Sequence, residues 1–272
     1  MRKNWLRLIA TLFVLALLGA LAWRSTIERE SSFEGKPFSE WLRESIDPGL
    51  YDASLANKSE GAIRKIGTNG LPTLLRLVSK TDSPLKARII RSLPRAWADQ
   101  HRIREAGYHH ILALKGFATL GTNAAPAVPD LVALLAHPEW RVRGNVLSVL
   151  GSIGTPARAA IPAIKLMLAD SNKNVAILAV QTLGGLKADP SFVLPLLLKQ
   201  AADSARDRGT RHIAIDLIGA YGADASNAIP VLQAVLKDQQ SIWLHGAANF
   251  ALRSIAPAEK NLPSKTSDGV TN

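Results

Sequence analysis

The sequence predicts an all-α chain: a right-handed α-solenoid of about six stacked helix pairs, preceded by one N-terminal transmembrane or signal helix. Three observations predict it. A proline-marked phrase returns at a nearly constant interval, and the apolar residues around it recur three and four apart. The first 24 residues join a basic head to an uncharged apolar run.

The N-terminal element comes first in the chain. In "MRKNWLRLIATLFVLALLGALAWRSTIERE" sixteen uncharged, mostly apolar residues, Leu8 to Trp23, lie between Arg7 and Arg24. As a helix they span roughly 24 Å at ~1.5 Å per residue, short of the ~30 Å hydrocarbon core. Arg7 can snorkel, and Trp5 and Trp23 can sit at the two interfaces. Residues 1–24 therefore read as a membrane anchor. One alternative is a signal segment cleaved after the small-x-small pattern of Ala20, Leu21 and Ala22, which leaves a secreted protein. In both readings Arg2, Lys3 and Arg7 stay inside, and the rest is delivered to the exported side, periplasmic or extracellular. The other alternative, a buried N-terminal helix of a cytosolic protein, needs a groove for a helix that is apolar all round.

Residues 25–50 read as a linker followed by a cap. The stretch "STIERESSFEGK" is polar with few large apolar groups. Pro37 and Ser39 then start a short helix with Phe38, Trp41 and Leu42 on one face. That face suits a lid, because the end unit of a solenoid has an unpaired apolar side.

From 51 to 256 the chain repeats itself. The opening phrase "LGTNAAPAVPDLVALLA" returns as "IGTPARAAIPAIKLMLAD", "LKADPSFVLPLLLKQAAD" and "YGADASNAIPVLQAVLKD", with Pro129, Pro162, Pro195 and Pro230 spaced 33, 33 and 35 residues apart. A proline inside a helix costs about 3 kcal/mol, whereas the first turn tolerates it. Thr122 to Ala125 is therefore expected to be a turn, with a second helix beginning near each proline. The first helices, such as "VRGNVLSVLGSIG", bury Val142, Val146, Val149, Leu150 and Ile153 along one stripe. Gly121, Gly154 and Gly222 end them, with Lys187 in that place in one unit. The second helices carry a matching apolar column, Leu131, Ile164, Leu197 and Leu232. Eight residues after each marking proline stands His137, Asp170, Asp203 or Asp238, where the chain turns into the next unit.

This pattern, with Val-Arg after the turn, resembles HEAT repeats, and specifically the short HEAT-like type first described in phycobilisome lyases. The resemblance covers about Tyr51 to Ala256 and includes "EGAIRKIGTNGLPTLLRLV", with Gly67 and Pro72 in place. It implies that the column of His110, Arg143, Arg211 and His245 pairs with acids of neighbouring turns as a structural ladder. The second unit departs from the pattern. Pro72 and Pro129 are 57 residues apart, and the interval holds one helix and an irregular stretch around Pro94, so a divergent or incomplete repeat is expected. Residues 257–272 are polar and read as a disordered tail.

Composition narrows the function. The chain has 272 residues, 47% of them hydrophobic, no cysteine and a net charge of +11. Cysteine-based catalysis, disulfides and cysteine-ligated zinc are excluded. The six histidines show no i, i+4 ligand pair, and no nucleophile elbow, phosphate loop or calcium loop occurs. No enzyme, no cofactor and no metal site is expected.

The expected function is a membrane-tethered, outward-facing scaffold that binds protein or peptide on the repeat surface. Asp130, Lys165, Lys199 and Gln233 on the second helices are the candidate contacts. A second candidate is a patch for an anionic partner or anionic surface at residues 86–104: Lys86, Arg88, Arg91, Arg95, Trp97, Arg102 and Arg104, opposed by Asp99 and Glu105. Its bland counterpart is an ordinary solvated helix face. The alternative function, also implied by the resemblance, is a HEAT-like enzyme or nucleic-acid binder, lyase-like or DNA-glycosylase-like. An exported chain meets neither substrate, and nucleic acid is not the expected partner.

Overall fold

The computed structural model describes residues 30–46, 53–94, 97 and 103–256. The proposed anchor, the tail, Arg95 and Arg102 lie outside the described residues. The chain divides into two compact units, Met1–Thr73 and Leu74–Asn272. Among the described residues no helix is long and apolar enough to cross a membrane.

In the first unit a two-residue turn joins β1 (Ser32–Phe33) to β2 (Lys36–Pro37). Glu34 and Gly35 both take positive φ, at 50° and 71°, as a tight hairpin requires. The helix α1 (Phe38–Glu44) follows and buries Phe38, Trp41 and Leu42, the face read from the sequence. It packs against α2 (Ala53–Ile66).

The linker reading of residues 25–36 is corrected from Glu30 onward. The Glu30 carboxylate accepts from the Ser39 amide at 2.5 Å and its hydroxyl at 2.9 Å. The Trp41 indole donates to the Phe33 carbonyl at 3.1 Å, and Lys36 pairs with Glu44 at 2.6 Å. These polar residues are tied to α1 by contacts that a count of apolar residues overlooks.

A 3-10 turn (Gly67–Gly70) leads into α3 (Leu71–Val78), within which the division between the units falls. In the second unit α4 (Pro84–Ser92) comes first in the interval expected to hold a divergent repeat, and none of its residues is buried. Four regular pairs follow: α5 (Ala106–Leu120) with α6 (Val128–Leu134), α7 (Trp140–Ile153) with α8 (Ile161–Leu166), α9 (Lys173–Gly185) with α10 (Pro190–Ala202), and α11 (Arg208–Ala220) with α12 (Ile229–Lys237). The helix α13 (His245–Ile255) ends the series. First helices stack in chain order, α5 on α7, α7 on α9, α9 on α11 and α11 on α13, and α10 touches α12.

The core is the pair of columns read from the sequence. Val142, Val146, Val149, Leu150 and Ile153 of α7 are fully buried, as are Leu131, Ile164, Leu197 and Leu232. The expected turn at Thr122 to Ala125 is a 3-10 turn over Gly121–Ala127, repeated at Thr155–Ala160 and Gly222–Ala228. Gly67, Gly121, Gly154 and Gly222 have positive φ, between 53° and 74°. Lys187 holds the same backbone place at φ 53°, a conformation that costs an L-residue roughly 1–2 kcal/mol.

Pro129, Pro162 and Pro230 stand in the first turns of α6, α8 and α12. Pro195 does not: it lies inside α10. There the Asp189 side chain accepts from the Ser191 amide at 2.9 Å, so cap and helix start arrive about a turn before the marking proline.

Candidate functional site

The buried columns decide what each second helix presents outward. Because Leu131, Ile164, Leu197 and Leu232 point into the core, Asp130, Lys165, Lys199 and Gln233 are carried to the surface, and all four are exposed. Each second helix carries one of them, one residue after the marking proline for Asp130, three for Lys165 and Gln233, and four for Lys199. Asp130 sits in the first turn of α6, where the helix dipole favours a carboxylate.

Lys165 reaches across to the following repeat and sets its ammonium 4.2 Å from the centre of the Phe192 ring. Beside it Leu166 is 72% exposed. This pairing of a cation with exposed apolar groups was not legible in the sequence, since Phe192 and Leu166 read there as ordinary helix residues.

Lys199 lines a groove of about 230 Å³ together with Leu168, Lys173, Ile177, Leu196, Gln200 and Arg206. Gln200 is itself 5% exposed, and its Oε1 has no hydrogen-bond partner. Sequence reasoning missed Gln200. The one available signal was a long amide inside the apolar run "VLPLLLKQAA".

The turns between repeats share one device. The Asp170, Asp203 and Asp238 carboxylates each accept from the backbone amide two residues on, at 2.8, 3.0 and 3.0 Å. His137 does the same through Nδ1 at 3.1 Å. Such a bond replaces a backbone turn contact, which explains why four residues of two chemical types share a column.

The implied ladder is present in altered form. Arg143 meets Asp170 through two hydrogen bonds of 2.7 Å. It also donates to the His137 and Pro138 carbonyls at 2.9 and 3.0 Å. Hydrogen bonding from Arg143 holds the Asp170 carboxyl below its usual range and Asp170 raises Arg143 in return. Arg211 reaches an acid only by relay: it donates to the Ser241 hydroxyl at 3.0 Å, which donates to Asp238 at 2.6 Å. His110 and His245 contact the carbonyls of Lys80 and Asp238 at 2.7 and 3.2 Å. An imidazole is shorter than an arginine fork and stops at the backbone. Pairing with acids therefore holds directly for one member of the column.

The basic patch is reduced by its own neighbours. Lys86 pairs with Asp82, and Arg91 with Glu105 at 3.0 Å. Arg104 lies 5.4 Å from the Tyr108 ring, Arg88 is exposed, and Trp97 is 44% exposed. Arg88 and Arg91 stand three positions apart on α4. The helix α4 ends at Ser92, and Leu93 takes ψ 143°, the extended state that a following proline favours.

Nearby, Lys80 Nζ lies 2.9 Å from His109 Nε2, a contact the sequence did not suggest. Burial, then Lys80 and Lys86, push His109 down to about 4, so its neutral ring accepts from the Lys80 ammonium. Among the described residues no group of three or more histidine, aspartate or glutamate side chains could hold a metal.

Comparison with known proteins agrees with the repeat reading. The family described as HEAT repeats matches residues 160–253, roughly a third of the chain. No curated protein matches. Among solved structures, an engineered protein from a structural genomics consortium is 16% identical, with 81% of this chain and 96% of that one covered and a TM-score of 0.41. The complex of CpcE and CpcF of phycocyanin lyase from Nostoc sp. is 21% identical, with 82% and 98% covered and a TM-score of 0.34. Residues 160–253, with the helix pairs and the columns described above, are HEAT-like repeats.

Proposed function

We propose that the chain is a protein-binding scaffold, a right-handed solenoid tethered by residues 8–23 to a membrane with its repeats on the exported side. The observation that supports the reading is that each second helix exposes polar side chains to solvent, with Lys165 over Phe192 and Leu166 72% exposed. Outward side chains spread over successive stacked repeats suit an extended protein partner better than a small molecule enclosed in one cavity. The tether rests on the charge asymmetry around Leu8 to Trp23.

Two measurements test the two halves. Crosslinking the intact, membrane-inserted chain and identifying the captured proteins tests the scaffold; copurification of nucleic acid or a tightly held small molecule in their place refutes it. Protease added from outside should digest the repeats and spare the basic head. A mature N-terminus at Trp23 refutes the anchor and leaves a secreted scaffold.

A further inference from the structure

The groove beside Lys199 combines an apolar floor with a cationic rim. Its floor is apolar, from Leu168 at the end of one repeat, Ile177 and Val180 of α9, and Leu196 of α10. At about 230 Å³ it is smaller than the ~300–1,000 Å³ of pockets that enclose a small-molecule ligand. It has room for a side chain of something larger.

Three cations surround it: Lys173, Lys199 and Arg206. Arg206 shares its charge with Asp203 at 3.2 Å. Lys173 and Lys199 are exposed and meet no acidic side chain within ion-pair distance among the described residues. The rim is therefore complementary to negative charge.

Gln200 supplies the most specific demand. Its Nε2 faces the Ile177 carbonyl at 3.4 Å, which assigns the amide orientation and leaves Oε1 as the acceptor without a donor. A buried acceptor of this kind is costly to keep unless something fills it. An N–H or O–H donor satisfies an acceptor of this kind. A peptide brings one at every residue, whereas a fatty acid carboxylate brings none.

We propose that this groove takes one apolar side chain of an acidic peptide segment, with flanking carboxylates on Lys173 and Lys199 and a backbone N–H donated to Gln200 Oε1. The proposal rests on the scaffold reading and names the chemistry of its partner.

The test uses the full chain in nanodiscs and three fluorescein-labelled pentapeptides read by anisotropy: Asp-Glu-Leu-Asp-Glu, the same with Ser for Leu, and Lys-Lys-Leu-Lys-Lys. The acidic Leu peptide should bind at least about tenfold more tightly than either control, and less tightly at high salt. Lys173→Glu with Lys199→Glu, both surface changes, should lower its affinity by about tenfold or more. Gln200→Leu should weaken it about fivefold while the melting temperature stays level or rises, because a costly orphan acceptor is removed. Equal binding of the three peptides overturns the proposal. So does wild-type affinity in both variants, or a single-stranded oligonucleotide that outcompetes the acidic peptide. If crosslinking captures the same proteins with wild type and with the double lysine variant, this groove is overturned and the scaffold stands. A wild-type chain that captures no protein at all sinks both.

Discussion

Replacing Asp170 by alanine is the sharpest probe of how adjacent repeats are locked. The Asp170 side chain is 5% exposed and the Arg143 side chain 13%, and two bonds of 2.7 Å join them. An exposed ion pair contributes about 0–1 kcal/mol, while stranding one partner of a fully buried pair costs about 3–5 kcal/mol. Arg143 keeps the His137 and Pro138 carbonyls after the change, so its charge is not left bare. The Asn172 amide loses its acceptor at 2.8 Å as well. The expected destabilisation is therefore about 2–3 kcal/mol, between the two limits. Urea unfolding followed by circular dichroism measures it, and hydrogen exchange should place the loss in α7 and α9, since repeats couple mainly to their neighbours. A double-mutant cycle with Arg143→Ala isolates the pair. The pH dependence follows from the same geometry: a carboxyl depressed in the folded state stabilises fully above its unfolded value of about 3.9. That contribution is lost as the pH falls through the lower folded value, so the wild-type and Asp170→Ala stability curves should converge only under acid. A loss below about 0.5 kcal/mol at pH 7, the level of an ordinary surface change, would refute the argument that this pair joins the repeats.

Leu150→Asp should unfold its neighbourhood, since truncation at such a fully buried site already costs about 2–5 kcal/mol and a buried charge adds to it, whereas Lys165→Ala should stay within about 0.5 kcal/mol; equal urea midpoints would show the repeat register to be wrong. Gly219→Ala should cost about 1–3 kcal/mol, because an added Cβ would lie 2.8 Å from the Ala251 Cα where α11 and α13 meet, and an unchanged melting curve would contradict that close approach. Changing Arg88 and Arg91 to glutamate should weaken binding to anionic liposomes by less than about tenfold, since Glu105 already offsets Arg91; a complete, salt-sensitive loss would show that the patch acts as a membrane-surface site after all.

Periodicity by itself determined the helix pairs, their order and their buried columns. Leu150 or Ile164 faces the core because helix geometry maps a spacing of three and four onto one stripe, and the stripe has one way to leave water. The terminating glycines were legible for a similar reason: their conformation is local, and even the exception at Lys187 stood in its column. Tertiary structure decided the matters that depend on a partner from another part of the chain. Glu30 and Lys36 joined the folded unit because Ser39 and Glu44 were in reach, which a polar composition conceals. Whether a column residue pairs with an acid, as Arg143 does, or stops at a carbonyl, as His110 does, depends on side-chain reach across a turn. The candidate groove lies at the far end of this scale. Gln200 and Lys173 are 27 positions apart in the sequence and become neighbours only when α9 and α10 pack. The Gln200 amide is buried only once that packing forms, whereas in the open chain water satisfies it.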